Sequence, residues 1–236
     1  MIQSNNTAII GKGLIGRRLA GFINATHVFD SRTIKHLPDD SYETVYVAAP
    51  SANRIWAKEN PNSDTASVDA LIRSLRMTDA HRVVLISTCD TQVSPDTVYG
   101  DNRRRLEDFV HDWFPHNHVV RLPCLIGNDI TKNILYDIKH KTKWMHNINL
   151  GTTQQWYILD DLEQDLKHIM QSYLPVTVDN LVSEPISNKD IVTEFLGYHS
   201  KIQLNQPGTA YDLDPYKYTK DEIFTEIKRY LNDSTN

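Results

Sequence analysis

Thr7-Ala8-Ile9-Ile10-Gly11-Lys12-Gly13-Leu14-Ile15-Gly16-Arg17-Arg18-Leu19 joins a short apolar run to a helical pattern through Gly-x-Gly-x-x-Gly. The run predicts a buried strand, and Ile15, Leu19 and Phe22 predict the inward stripe of the helix after it. A strand that turns straight into a helix brings unpaired helix amides to the sheet's carboxyl edge, where an anion is stabilised. Gly11 permits the tight turn, and Gly13 lets the backbone approach a diphosphate with no side chain between. Gly16 lets the helix pack close to the strand. Asp30, closing His27-Val28-Phe29, stands at the spacing at which a carboxylate can accept bonds from both hydroxyls of an adenosine ribose. A glycine loop alone would be a weak signal. The strand before it, the stripe after it and Asp30 make this one specific.

Working outward, short apolar runs recur at Ala8-Ile10, His27-Phe29, Thr44-Ala48, Arg82-Ser87 and His118-Leu122. Helical patterns lie between them around Leu14-Ile23, Ser63-Arg76 and Tyr99-Phe114. This alternation predicts an α/β fold, a doubly wound parallel sheet of the Rossmann type with crossover helices on both faces. Residues 1–123 read as the dinucleotide-binding core. Residues 124–236 read as the remaining sheet elements and a small substrate-binding lobe over the carboxyl edge, the whole forming a single compact unit. Helix starts are expected at Asp160, Ser187 and Thr219. The last two carry the capping patterns Ser187-x-x-Asp190 and Thr219-x-x-Glu222.

The 236 residues, 40% hydrophobic and 23% charged, are ordinary for a globular chain able to bury a sizeable core. A net charge of −5 argues against a nucleic-acid partner. Arg103-Arg104-Arg105 does not reverse this, because successive helical positions point about 100° apart. One arginine would face the site, and the others would be solvated or paired with Glu107 and Asp108. Cys89 and Cys124 form neither a disulfide framework nor a metal spacing, and the histidines are scattered, so no metal is expected. No run approaches the length of a membrane span. Met1–Asn6 is polar and reads as no leader, so the expected compartment is the cytoplasm.

Arg82-Val83-Val84-Leu85-Ile86-Ser87-Thr88 is a strand that ends in two hydroxyls, directed at the crevice where a nicotinamide ring would lie. Thr88 is the favoured hydroxyl, and Ser87 the less favoured. Downstream, Tyr99 and Arg103 are one helical turn apart on one face. A phenol beside a fixed cation is expected to have a lowered pKa, as a general acid/base for a hydroxyl proton needs.

These elements, Gly11-x-Gly13-x-x-Gly16, Val47-Ala48-Ala49-Pro50, Ile86-Ser87-Thr88, Tyr99-x-x-x-Arg103 and Arg121-Leu122-Pro123, resemble in kind and order those of extended-type short-chain dehydrogenase/reductases. The similarity is to the NAD-dependent epimerase/dehydratase family, with later echoes at Lys132-Asn133-Ile134-Leu135-Tyr136-Asp137 and Asn180-Leu181-Val182-Ser183-Glu184-Pro185. The resemblance implies hydride transfer on a sugar or nucleotide-sugar, with Thr88, Tyr99 and Arg103 as catalytic residues. Ala48 and Ala49 join Gly11 to Gly16, Asp30, Ser31, Arg32, Tyr99 and Arg103 as cofactor-binding residues. It also implies a homodimer paired through the helix bearing Tyr99. Arg103 departs from the pattern, since the position usually holds lysine. Some relatives carry Tyr-Gly-x-x-Arg, but arginine's fork has another geometry and does not donate its proton. The Thr88–Tyr99 connection and the chain after the sixth strand are also short, leaving less material to grip a nucleotide-sugar.

Asp30 repels a 2′-phosphate, whereas Ser31 and Arg32 could bind one, so NAD is favoured and NADP stays open. Lys12 and Arg17 either add positive field at the diphosphate or simply face water. Trp56, Trp144, Trp156 and Tyr157 either wall a sugar or base or, for the last pair, belong to a strand. Asn133, His146 and Gln154 are substrate candidates by location alone. The competing function is a catalytically silent NAD(P)-binding sensor.

Overall fold

The computed structural model describes residues 6–197 and 208–233. Strand β1 (Thr7–Ile10) runs through the glycine turn into helix α1 (Leu14–Phe22), followed by β2 (His27–Phe29) and β3 (Ser41–Val47). Helices α2 (Arg54–Glu59) and α3 (Pro61–Arg76) lead to β4 (Asp79–Thr88), then α4 (Asp90–Val93), α5 (Val98–Trp113) and β5 (Asn117–Leu122). Next come β6 (Cys124–Ile126), α6 (Ile134–Lys139), β7 (Thr153–Gln154) and β8 (Trp156–Ile158). Helix α7 (Leu162–Met170) and β9 (Val176–Asn180) precede β10 (Val182–Ser183) and β11 (Ile186–Ser187). The described chain closes with α8 (Asn188–Leu196), β12 (Tyr216–Tyr218) and α9 (Lys220–Asn232).

Two compact units result, Met1–Arg121 with Glu163–Asp179, and Leu122–Leu162 with Asn180–Asn236. The first is built on a six-stranded sheet of order β2-β1-β3-β4-β5-β9. β1 pairs in parallel with β2 on one side and with β3 on the other, and β3 pairs in parallel with β4. Strand order therefore reverses between β1 and β3. In an open α/β sheet that reversal is where connections leave in opposite directions and a crevice opens at the carboxyl ends.

β3 and β4 reach further toward their amino ends than their apolar runs suggest. Ser41 pairs with Asp79 and Tyr42 with Ala80, so the ladder carries residues that apolarity alone leaves out. Helix α2 was not expected. Asn53 caps it, its Oδ1 accepting from the Trp56 amide at 3.0 Å, and Pro61 then opens α3 at a position where its missing N–H is no loss.

The core of the first unit lies between the sheet and helices α3 and α5. Val68, Leu71 and Leu75 of α3 and Leu106 and Val110 of α5 pack with Ala8, Ile10, Val45, Val47, Val83 and Leu85. Burial of each valine, leucine or isoleucine among these is worth about 1.5–3 kcal/mol of transfer free energy. The same inward face of α5, one turn earlier, carries Tyr99 and Arg103, both buried. Its apolar part anchors the helix and its polar part is held wherever that anchoring puts it.

In the second unit β6 pairs in parallel with β8, β10 with β12, and β11 pairs antiparallel with β7. Trp156 and Tyr157 are fully buried on β8, so they belong to the core and not to a ligand wall. Trp56 and Trp144 are exposed. A short 3-10 turn, Leu159–Asp161, precedes α7 near the helix start expected at Asp160. Ser187 accepts from the Asp190 amide, and Thr219 with Glu222 forms a reciprocal capping box.

Candidate active site

The glycine turn sits at the β1/β3 reversal. Gly11 has φ +111°, which side-chain-bearing residues rarely adopt, and a Cβ there would come within 2.3 Å of the Ala48 carbonyl oxygen. A Cβ on Gly16 would lie 1.8 Å from the Gly11 carbonyl oxygen, so α1 can pack at this depth only with glycine. Gly13 differs, for a Cβ there would meet nothing within 4 Å. It is the N-cap of α1, no side chain caps the helix, and its first turn holds no acidic residue. The amides at that helix start are thus open to an anionic ligand.

Asp30 closes β2 as expected, but its carboxylate is already engaged. Oδ1 accepts from the amides of Arg32 (2.9 Å) and Thr33 (3.1 Å) and from the Thr33 hydroxyl, and Oδ2 accepts from Lys12 Nζ at 3.1 Å. These donors hold its pKa down to about 2, with the Arg32 amide contributing most. Lys12 therefore has a partner inside the site, and Arg17 donates to the Lys12 carbonyl at 3.3 Å. Ser31 and Arg32 are exposed beside Asp30, while just past the end of β3 Ala48 lies against the glycine turn and Ala49 packs, partly buried, against the core.

At the end of β4, Thr88 Oγ1 donates to Asp90 Oδ2 and accepts from the Asp90 amide, each at 3.2 Å. Tyr99 is within hydrogen-bonding influence of Thr88, and the Arg103 guanidinium carbon lies 4.3 Å from the centre of its ring. The structure thus brings Thr88, Tyr99 and Arg103 together. The expected lowering of the phenol pKa is corrected. Burial raises it, outweighing the downward pull of Arg103, and Asp90 raises it further. Thr88 and Arg54 act in the same direction as Arg103.

Arg103 is committed to partners that sequence reading missed. Its Nη1 donates to Asp64 Oδ2 at 2.8 Å, and its Nη2 donates to Asp64 Oδ1 at 2.9 Å and to the Ser51 carbonyl at 2.7 Å. Asn102 Nδ2 also donates to Asp64 Oδ2 at 2.8 Å. Both charged side chains are almost fully buried, at 6% and 2% exposure. A signal existed: Asp64, Val68, Leu71 and Leu75 share one helical stripe, and a carboxylate on a buried stripe demands a cation.

The neighbouring arginines also find other partners than expected. Arg104 pairs with Asp101, and Arg105 with Asp69. Glu107 faces inward one turn after Arg103. It accepts from Ser87 Oγ at 2.5 Å and from Arg121 Nη2 at 2.6 Å, which removes Ser87 from candidacy as the free hydroxyl.

Asn133, His146 and Gln154 belong to the second unit. Asn133 has φ 155°, caps α6 by accepting from the Tyr136 amide, and donates to the Leu125 carbonyl. Gln154 donates to Asn188 and accepts from the Cys124 thiol. His146 lies exposed in a 3-10 turn. Asn133 and Gln154 thus have separate structural partners.

No family model matches the sequence, and no curated protein matches it. Solved structures do resemble it. TunA, an NAD-dependent NDP-hexosamine 5,6-dehydratase of tunicamycin biosynthesis, superposes with TM-score 0.66 at 15% identity, covering 99% of this chain and 93% of that one. The dTDP-4-dehydrorhamnose reductase of Bacillus anthracis str. Ames, in complex with NADP, gives TM-score 0.65 at 13% identity, covering 98% of each chain. WbmG of Bordetella bronchiseptica, in complex with NAD, gives 0.64 at 14%, covering 96% and 89%. The chain has the Rossmann-type fold of these proteins. Among the described residues no group of three or more His, Cys, Asp or Glu is arranged for a metal, and no helix is long and apolar enough to cross a membrane.

Proposed function

We propose that the chain binds NAD or NADP along the glycine turn and transfers hydride to or from a sugar or nucleotide-sugar, as an oxidoreductase or epimerase. The supporting observation is that one sheet edge carries both an uncapped helix start over a glycine turn and the Thr88–Tyr99–Arg103 cluster. The open space at Gly13 fits a diphosphate, held by the amides of Leu14, Ile15 and Gly16. Asp30, turned by the Arg32 and Thr33 amides, would take the adenosine ribose, which favours NAD, with Ser31 and Arg32 beside it. Ala48 and Ala49 would border the coenzyme at the end of β3. The structures with similar folds are described as NAD- or NADP-dependent or bound, and some as acting on nucleotide-sugars.

When bound, a nicotinamide would supply the hydride donor or acceptor. Tyr99 would give its hydroxyl proton to a carbonyl oxygen being reduced, leaving phenolate, or as phenolate take the proton of a carbinol being oxidised, becoming the phenol. The Thr88 hydroxyl, which donates to Asp90 Oδ2 across 3.2 Å, would turn from that carboxylate to donate to the same oxygen. The cation of Arg103 over the ring eases formation of phenolate, against the opposing effects of burial and Asp90. Asn133, His146 and Gln154 are the residues to test against a substrate.

A second reading, a coenzyme-binding protein without turnover, is favoured by the raised Tyr99 pKa and by the engagement of Arg103 with Asp64. Mass spectrometry of small molecules that copurify with the protein, followed by absorbance assays of the nicotinamide with the sugar found, separates the two. Turnover abolished by Tyr99→Phe supports the enzyme. Unchanged turnover in that variant contradicts the mechanism.

A further inference from the structure

The Asp64 carboxylate receives three donors from α5, two of them from one guanidinium, across a sequence distance of more than thirty residues. The same guanidinium lies over the Tyr99 ring and reaches the carbonyl of Ser51, in the loop that leaves the carboxyl end of β3. Three segments therefore meet on one side chain: the loop after β3, helix α3 and the start of α5. Three of the five N–H bonds of Arg103 go to Asp64 and Ser51, and its position over the ring is fixed by them.

We propose that Asp64 is a positioning residue for Tyr99, and that the Asp64–Arg103 pair, and not a cation alone, forms the floor of the Tyr99 site. This rests on the reading of Tyr99 as the general acid/base. A planar fork bridges both oxygens of Asp64 and the Ser51 carbonyl while its face covers a ring. An ammonium is a point charge that would be drawn to the carboxylate and leave the ring. The pair thus makes arginine obligatory at a position where the resembling pattern carries lysine. It also ties the order of the loop after β3 to the placement of Tyr99.

Chemical rescue tests this. The protein is made with 3-fluorotyrosine, and the Tyr99 fluorine resonance is assigned by its loss in Tyr99→Phe. Arg103→Ala is expected to displace that resonance, and methylguanidinium at millimolar concentration to return it by more than half. Methylammonium is expected to return none of it, and addition of Asp64→Asn to abolish the rescue. Rescue that survives Asp64→Asn, rescue equally strong with methylammonium, or no rescue by methylguanidinium with Asp64 intact would each overturn the proposal. Should Arg103→Ala not fold, Arg103→Lys gives the same decision: a displaced resonance supports the pair, and a wild-type position overturns it. Coenzyme titration of the unaltered protein is read separately. Its failure removes the coenzyme reading without touching the resonance comparison, and failure of the rescue leaves the coenzyme reading standing.

Discussion

The glycine turn and the Tyr99 cluster sit on the same sheet and are specified in opposite ways. The turn is written in backbone: Gly11 and Gly16 admit no Cβ, and what they shape depends on residues within a few positions of each other. The cluster is written in side chains gathered from afar. Tyr99 takes its environment from Thr88, Asp90 and Arg103, and Arg103 takes its place from Asp64 and Ser51. Local backbone sterics yield a site that changes little with context. A buried ion pair yields one whose chemistry depends on each partner being present.

Breaking the cluster should cost most. Asp64→Asn leaves the Arg103 cation buried without its counter-charge, and is expected to destabilise the first unit by about 3–5 kcal/mol. Urea unfolding with a probe in that unit measures this, and a loss within error would show the pair to be dispensable. Gly16→Ala follows. Its Cβ would meet backbone at 1.8 Å, so α1 must shift off the sheet, at about 1–3 kcal/mol or more. The check is a thermal melt, in which an unchanged transition would mean that α1 has room to spare.

Acid should reveal a smaller effect. Asp30 has a folded-state pKa depressed from 3.8 to about 2, so its stabilising contribution is complete above the higher value and is lost as pH falls toward the lower. Asp64, likewise lowered by Arg103 and Asn102 against its own burial, loses its contribution on the same side. Melting temperature followed downward from pH 5 should therefore fall less steeply in Asp30→Asn than in the unaltered protein. Identical slopes would show that Asp30 carries no linkage. Gly13→Asp should have the smallest effect on stability, a gain of a few tenths of a kcal/mol. The carboxylate caps α1 in open space where glycine offers no cap.

Much of this was legible in the sequence, for reasons that follow the same contrast. The apolar run at Ala8-Ile10 marks β1 because a strand buried along its length cannot hide its composition, that at His27-Phe29 marks the edge strand β2 although its Val28 is exposed, and the glycine spacing marks the turn because sterics leave no substitute. The amino ends of β3 and β4 were not legible, since ladder pairing and not apolarity orders Ser41 and Asp79. Tyr99 and Arg103 were found by spacing, but the direction of the phenol's pKa was not, because burial by distant elements outweighs a cation one turn away. The partner of Arg103 lay in plain view as Asp64 on the apolar stripe of α3, a mismatch that periodicity alone exposes.

In the proposed reading a dinucleotide's diphosphate rests on the amides at the start of α1. Calorimetric titration of NADH and NADPH into the protein and into its Gly13→Asp variant tests it most directly, with a melt of each sample alongside. One molecule of coenzyme per chain is expected for the unaltered protein and none for the variant, whose melting temperature is equal or higher. Undiminished binding to a folded Gly13→Asp protein, or no binding of either coenzyme to the unaltered chain, would contradict it.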